Sequence, residues 1–161
     1  MKEIFKIPII GVIEAGARTA INTTKSNEIG VIGTKATIKS EKYIEEIKLF
    51  NPKVKVFQKA CPLFVPAVEE GILNGKLVNQ IIKTYLDDFE GEIDTLILGC
   101  THYPLLKDAI SKIYPDIKIV DPACGSGAFL ITAFEYLLNY NNYLNDKIFD
   151  LTGTKDLFSD T

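Results

Sequence analysis

The feature that most constrains the fold is a regular alternation of short β-branched runs with longer amphipathic stretches. The runs are rich in Val and Ile and are bounded by Gly, Pro or Asp, as is typical of buried strands. The predicted strands are Ile9–Ile13, Ile29–Gly33, Lys53–Gln58, Thr95–Gly99 and Lys118–Asp121. The predicted helices between them are Ala15–Thr24, Ile38–Phe50, Leu77–Phe89 and Leu105–Ile113.

Strands that alternate with helices indicate a parallel sheet that is covered on both faces. We therefore expect an α/β fold, a flavodoxin-like doubly wound parallel sheet with helices on both faces, followed by a C-terminal helix and a frayed tail. The chain from about Asn139 is rich in Asn, Asp, Thr and Ser, which favours fraying. Ligands of such folds bind beyond the carboxyl ends of the strands. The residues directly after the strands are therefore the first candidates for function.

Charge and cysteine usage exclude several classes of protein. The net charge is −3 and the 18 Lys and Arg residues are spread along the 161 residues, so nucleic acid is not an expected partner. The three cysteines, Cys61, Cys100 and Cys124, form no CxxC pair, so we expect no metal. The apolar run at the N-terminus is too short for a secretory signal or a membrane span. We expect a cytoplasmic protein with reduced thiols and no membrane partner.

The strongest candidate for chemistry follows the fourth predicted strand. Thr95–Gly99 leads into Cys100, Thr101 and His102, and Pro104 suits the start of a helix. A thiol near a helix N-terminus has a lowered pKa, because the helix dipole favours the thiolate. His102 is the only histidine and has the chemistry to shuttle a proton. From these residues alone, a buried structural cysteine and an ordinary loop histidine remain the commoner interpretation.

Residues 99–104, Gly-Cys-Thr-His-Tyr-Pro, resemble the second cysteine motif of the aspartate and glutamate racemase superfamily. Three further segments are similar in order and spacing to the C-terminal domain of glutamate racemases: residues 7–18, residues 29–43 and residues 59–71. Ala15 stands where these enzymes usually have Pro. The resemblance extends over residues 1–121, which we predict to form a racemase-like α/β domain, with residues 122–161 as an appended helix and tail.

The resemblance implies interconversion of L- and D-glutamate without a cofactor, which supplies D-glutamate for bacterial peptidoglycan. Such enzymes place two thiols on opposite faces of the substrate α-carbon, one to remove the proton and one to return it. By position in the motifs, Cys100 is one of these thiols, His102 assists it, and Glu69 is the supporting carboxylate, with Glu70 as the other possible assignment. Both glutamates are equally typical of exposed positions early in a helix.

The resemblance also implies that Thr101 and Thr37 contact the substrate glutamate. Thr37 has a structural interpretation as well, as a helix N-cap. Arg18 is by residue type the best candidate to contact a carboxylate, although an ion pair within the domain is as good an interpretation. Cys61 is interpreted as structural.

The N-terminal domain of the family, with its Asp-Ser-Gly turn and an Ala-Cys-Asn-Thr motif around the first catalytic cysteine, has no counterpart in this sequence. We therefore expect the chain alone to racemise glutamate poorly. The expected partners are glutamate itself and either a separate N-terminal racemase domain or further copies of the chain. A non-catalytic α/β module that pairs with a partner is another hypothesis.

Residues 119–130, Ile-Val-Asp-Pro-Ala-Cys-Gly-Ser-Gly-Ala-Phe-Leu, resemble motif I of DNA amino-methyltransferases of the restriction–modification kind. That resemblance implies S-adenosylmethionine binding through Asp121, Gly125 and Gly127, because such glycines let the backbone approach a ligand closely. No Asn-Pro-Pro-Tyr catalytic loop is present. The simpler interpretation is that the glycines only turn the last strand into a terminal helix. A join between two sequences at residues 119–123 explains both resemblances.

Overall fold

The protein is described here by a computed structural model of residues 11–122 and 128–152. Four strands form one parallel sheet with the order β2-β1-β3-β4. The strands are β1 (Glu28–Gly33), β2 (Lys55–Ala60), β3 (Thr95–Gly99) and β4 (Lys118–Val120). Because all four are parallel, their carboxyl ends meet at one edge of the sheet, and the residues that follow them converge there.

The helices cover both faces of this sheet, which confirms the predicted α/β, doubly wound architecture. Helices α1 and α3 share one apolar core with the sheet, and α4, α5 and α6 share the other. The helices are α1 (Val12–Thr23), α2 (Lys35–Lys39), α3 (Lys42–Phe50), α4 (Phe64–Glu69), α5 (Lys76–Leu86), α6 (Lys107–Ile113) and α7 (Ala128–Thr152). Short 3₁₀ turns at Asp87–Phe89 and Tyr103–Leu106 extend α5 and precede α6.

Strand β3 shows why a short apolar run is enough to organise two cores. Successive side chains of a strand point to opposite faces of the sheet. Leu96 and Leu98 are buried in the core beneath α5 and α6, whereas Ile97 is buried in the core beneath α1 and α3. The apolar residues of this strand are therefore buried on both faces of the sheet, as expected for a parallel sheet.

Two predicted boundaries at the start of the chain are wrong. Val12 and Ile13, predicted as the end of a strand, form the first turn of α1, and Ile9 and Ile10 lie outside the described residues. The alanines that follow, at positions 15, 17 and 20, are fully buried, so α1 packs closely on the sheet from its start. Tertiary packing here outweighs the β propensity of the two β-branched residues.

The predicted helix Ile38–Phe50 is two helices, because Glu41 has a left-handed backbone with φ of 54°. Helix α2 begins earlier than predicted, at Lys35 after the N-cap Thr34, and α3 begins at Lys42. The predicted strand Lys53–Gln58 begins and ends two residues later, as β2. Helix α4 was not predicted, since its six residues are too few to show a helical period.

The described chain divides into two compact units between Phe129 and Leu130. The predicted division at residues 121 and 122 stays a prediction. The predicted C-terminal helix is present as α7, but it continues to Thr152, well beyond the Asn139 at which fraying was expected. Residues 153–161 of the predicted tail lie outside the described residues. No helix in the described part of the chain is both long and apolar enough to cross a membrane.

Candidate active site

Cys100 and its neighbours occupy the carboxyl edge of the sheet. Cys100 follows β3 directly and is partly exposed. Its Sγ lies 3.9 Å from Nδ1 of His102. On the other side of the imidazole ring, Nε2 of His102 lies 3.5 Å from Oε1 of Glu69. A carboxylate, an imidazole and a thiol therefore stand in line at this edge, in the order that proton transfer through the histidine requires.

Glu69 reaches this line from an unexpected position. It is the last residue of α4, and Glu70 is the helix C-cap, so neither is early in a helix as the structural interpretation required. The negative end of the helix dipole disfavours a carboxylate there. The side chain of Glu69 is 60% exposed and that of His102 38% exposed, so the contact remains open to solvent and to a ligand. Of the two glutamates, Glu69 is the one whose carboxylate contacts His102.

Tyr103 holds together the two loops that carry these groups. Its hydroxyl donates a hydrogen bond of 2.9 Å to the carbonyl oxygen of Cys61, in the loop between β2 and α4. Its ring, fully buried, packs edge-on against Phe64 of α4 with centroids 5.2 Å apart. Burial raises the pKa of the phenol, so it remains a hydrogen-bond donor. The sequence analysis missed Tyr103, although its place in the Gly-Cys-Thr-His-Tyr-Pro motif was the available signal.

Thr37 lies beside the strand end that carries Cys100. The N-cap of α2 is Thr34, not Thr37. The Thr34 hydroxyl accepts a hydrogen bond of 3.2 Å from the Thr37 backbone N–H, and the two threonine hydroxyls lie 3.0 Å apart. The Thr37 hydroxyl in turn donates to the carbonyl oxygen of Gly99 at 3.5 Å. Thr101, the other predicted substrate contact, is exposed and adjacent to Cys100. The structure thus brings Thr37 and Thr101 to the same edge as the thiol.

Glycine at position 99 permits this close packing. A Cβ on Gly99 would lie 2.8 Å from the carbonyl oxygen of Ile32 and 3.3 Å from Cγ2 of Thr37. The first of these atoms belongs to the backbone of the neighbouring strand and has no room to move. The absence of a side chain therefore lets β1, α2 and β3 meet directly beneath Cys100.

The contacts of two other residues singled out in the sequence, Arg18 and Cys61, favour a structural role for both. Arg18 lies 3.9 Å from Glu14 on the same helix, and its guanidinium is 4.9 Å from the centre of the Phe50 ring. These contacts favour the ion-pair interpretation over a substrate contact. Cys61 is fully buried, and its thiol lies 3.7 Å from the carbonyl oxygen of Lys59. Burial raises the pKa of Cys61 to about 12, so this thiol is protonated at neutral pH and has a structural role.

The segment that resembles motif I of DNA amino-methyltransferases, residues 119–130, lies only partly within the described residues. Asp121 is 1% exposed at the end of β4. Burial, followed by the nearby charge of Asp121, raises the pKa of the Tyr43 phenol to about 12. Cys124, Gly125 and Gly127 lie outside the described residues. Within residues 11–122 and 128–152, no cluster of three or more His, Cys, Asp or Glu side chains has the arrangement of a metal site.

Fold and site together define an α/β protein with a thiol, an imidazole and a carboxylate at the carboxyl edge of a parallel sheet. A family model described as Asp/Glu/Hydantoin racemase matches residues 1–124. The glutamate racemase of Persephonella marina is 49% identical over 155 residues, which are 96% of this chain and 54% of that protein. The glutamate racemase of a Sulfurihydrogenibium species is 52% identical over 122 residues, or 75% of this chain and 47% of that protein. The chain belongs to the Asp/Glu/hydantoin racemase family.

A solved structure agrees with this assignment. The glutamate racemase of Francisella tularensis, crystallised with D-glutamate, superimposes with a TM-score of 0.72 and 41% sequence identity, over 86% of this chain and 50% of that one. The chain thus spans about half the length of the curated relatives it matches. The match to the P. marina enzyme continues well past residue 121. These comparisons give no support to a methyltransferase origin of residues 119–161.

Proposed function

We propose that this chain carries one half of the active site of a glutamate racemase, with Cys100 as the thiol that exchanges a proton with one face of the substrate α-carbon. The observation that carries the proposal is the line Glu69–His102–Cys100, with contacts of 3.5 and 3.9 Å. The substrate class follows from the relatives, which are glutamate racemases, one of them crystallised with D-glutamate. The reaction needs no cofactor, because two thiols suffice to remove and return the proton.

Each residue has a defined part in the proposed chemistry. Cys100, as the thiolate, accepts the α-proton of one glutamate enantiomer or, as the thiol, returns a proton to the carbanion formed from the other. His102 stabilises the thiolate through Nδ1, and Glu69 orients the ring and supports its charge through Nε2. Thr37 and Thr101 hold the substrate beside Cys100. Full racemisation also requires a second thiol on the opposite face, which the half of the relatives that this chain does not span would supply.

Solvent exchange at the α-carbon tests this half-site. The purified chain is incubated in D₂O with L-glutamate or with D-glutamate, and loss of the α-proton is followed by NMR. Exchange of one enantiomer is expected. Cys100→Ala should abolish it, and Glu69→Gln should slow it by roughly ten- to a hundredfold, as expected for loss of a group that assists proton transfer. Cys61→Ala is the matched control and should leave the exchange unchanged, since that thiol is buried and protonated.

The same assay tests the need for the half of the relatives that this chain does not span. Addition of the N-terminal half of a glutamate racemase, with its own cysteine, should convert one-sided exchange into interconversion of the enantiomers. Exchange that survives Cys100→Ala would refute the role given to this thiol. Interconversion at an enzyme-like rate by the chain alone would refute the proposal that the chain carries only one half of the active site.

A further inference from the structure

Tyr43 is a buried aromatic residue that the proposed chemistry does not use. It lies in the first turn of α3 and is 3% exposed, within the core that α1 and α3 share with the sheet. Tyr43 and Ile47 are four residues apart on α3 and both are buried, so they lie on the face of the helix that packs toward the sheet. Because this burial comes from the core of the chain itself, it does not depend on what covers the surface.

The ring of Tyr43 is wedged between α1 and the end of β3. A Cβ on Gly16 of α1 would lie 3.4 Å from Cε1 of the ring, and a Cβ on Gly99 would lie 3.2 Å from Cε2. These two carbons flank the carbon that carries the hydroxyl, so the outer end of the ring lies between the two glycines. Pro122, after β4, reaches the same place, since its Cβ would lie 2.8 Å from a Cβ on Gly16. The ring therefore joins α1, β3 and the segment after β4.

Gly99 is held from three sides in this arrangement. The position that its Cβ would take faces the Ile32 carbonyl oxygen at 2.8 Å, the Tyr43 ring at 3.2 Å and Cγ2 of Thr37 at 3.3 Å. The first contact comes from the neighbouring strand, and Thr37 belongs to a helix of only five residues. Tyr43 is anchored in the core, so it supplies the rigid contact on the helical side of the sheet.

We propose, on the basis of the function proposed above, that Tyr43 is a positioning residue for Cys100. The flat ring fixes Gly99, and Gly99 fixes the backbone from which the thiol of the next residue is directed at His102. Catalytic groups must be held within about 0.5 Å of the productive geometry. The distance from the Cys100 Sγ to the His102 Nδ1 is already 3.9 Å, so a small displacement of Gly99 is enough to separate the two groups.

The left-handed backbone of Glu41 agrees with this role. Such a conformation is strained in a residue other than glycine, and it persists only where the surrounding structure imposes it. Glu41 ends the path of α2, and α3 starts anew at Lys42, so Thr37 and Tyr43 approach Gly99 from different helices. In one continuous helix, these two residues would lie more than one turn apart and on different faces. The break at Glu41 therefore lets both side chains contact one glycine.

The ring of Tyr43, and not its hydroxyl, makes these contacts. The atoms nearest to Gly16 and Gly99 are both ring carbons. Burial, followed by the nearby charge of Asp121, raises the pKa of the phenol to about 12, so the side chain stays neutral up to pH 10. Phenylalanine should therefore replace tyrosine at this position, whereas an aliphatic residue should not.

The pH dependence of Cys100 alkylation tests the proposal. The full chain is treated with iodoacetamide at pH 7 and at pH 10, and peptide mass spectrometry follows each thiol. Because the thiolate is the reactive form, loss of the contact with His102 should lower the rate at pH 7 relative to the rate at pH 10. Tyr43→Leu should lower this ratio at least about threefold, and it should slow the exchange of the glutamate α-proton at least about tenfold. Tyr43→Phe should change neither.

Two controls separate positioning from a general loss of stability. Tyr114→Leu is the matched variant, because Tyr114 is also buried, at 5% exposure, but follows α6 at the amino edge of the sheet. It should leave the ratio unchanged. Cys61 is fully buried, so its labelling reports unfolding. If Tyr43→Leu exposes Cys61, the milder Tyr43→Met takes its place. Labelling of Cys61 as fast as that of Cys100 in both variants would overturn the proposal, since Tyr43 would then only support the fold.

The two readouts also separate this proposal from the function on which it rests. If the unsubstituted chain exchanges no glutamate, the proposed function fails, and a lowered alkylation ratio in Tyr43→Leu alone would still support the positioning of the thiol. If the unsubstituted chain exchanges glutamate and Tyr43→Leu behaves identically, only the role of Tyr43 fails. An equal fall of the ratio in Tyr114→Leu, or a fall in Tyr43→Phe, would also contradict the role given to the ring.

Discussion

Asp94, at the amino end of β3, offers a sharp test of what fixes the strand that carries Cys100. Its carboxylate accepts three hydrogen bonds from the turn between α1 and β1: from the Thr24 hydroxyl at 2.5 Å, from the Lys25 backbone N–H at 2.6 Å and from the Ser26 backbone N–H at 2.8 Å. The substitution Asp94→Asn removes the charge and leaves only one acceptor oxygen. It should therefore loosen the turn without changing the size of the side chain.

The expected loss of stability follows from the pKa of this carboxyl. Burial alone would raise the pKa of Asp94, but the hydrogen bonds from Thr24, Ser26 and Lys25 outweigh it and hold the pKa at about 2, below its ordinary value of 3.8. This difference is equivalent to about 2 kcal/mol between the charged and neutral forms. Since the group is partly exposed and solvent screens it, we expect a net contribution of about 1 kcal/mol.

The sign of the pH dependence follows from the lowered pKa. The folded state favours the charged carboxylate, so the stabilisation is complete above about pH 4 and disappears as the pH falls from about 4 to about 2. Urea unfolding followed by circular dichroism should show Asp94→Asn to be less stable than the parent at pH 6, with the difference narrowing at pH 3. Equal stability of the two chains at pH 6, or a difference that grows on acidification, would refute this account.

One labelling experiment and two substitutions test the geometry around the site. At pH 8, iodoacetamide should alkylate Cys100 but not Cys61, because the pKa of about 12 leaves Cys61 with a thiolate fraction of about one in ten thousand. Peptide mass spectrometry distinguishes the two thiols, and equal labelling would contradict the structural role given to Cys61. Gly99→Ala should destabilise the fold by about 2 kcal/mol in urea unfolding, because its Cβ would meet the Ile32 carbonyl at 2.8 Å; an unaffected midpoint would show that the strands can separate. Tyr103→Phe should cost about 1–2 kcal/mol and reduce the solvent exchange of glutamate, and an unchanged unfolding curve would argue against its bond to the Cys61 carbonyl.

Part of this structure could be read directly from the sequence. The runs Ile29–Gly33 and Thr95–Gly99 are apolar at nearly every position, and strands of that kind are stable only when a parallel sheet is covered on both faces. Both became central strands, and the predicted fold class is confirmed. The Gly-Cys-Thr-His-Tyr-Pro motif also identified the family, because the residues of the motif are neighbours in the chain.

The local breaks could not be predicted, because each depends on contacts made elsewhere. Glu41 adopts a left-handed backbone that its residue type does not favour, and the amphipathic pattern from Ile38 to Phe50 gave no sign of it. Val12 and Ile13 have the β-branched character of a strand, yet they begin a helix whose alanines pack onto the sheet. A short-range pattern records preferences of a few tenths of a kcal/mol per residue, which tertiary packing readily overrides.

The sequence by itself predicted the layers of the fold, the family and Cys100 as the candidate thiol. These depend on periodicity and on residues that are adjacent in the chain. Only the tertiary structure decided which carboxylate contacts His102, that Tyr103 joins two loops, and that Thr37 lies beside Gly99. These relations arise from the strand order β2-β1-β3-β4, which brings three separate loops to one edge of the sheet. Local propensity carries no information about that order, since it is set by the way that the whole chain buries its apolar surface.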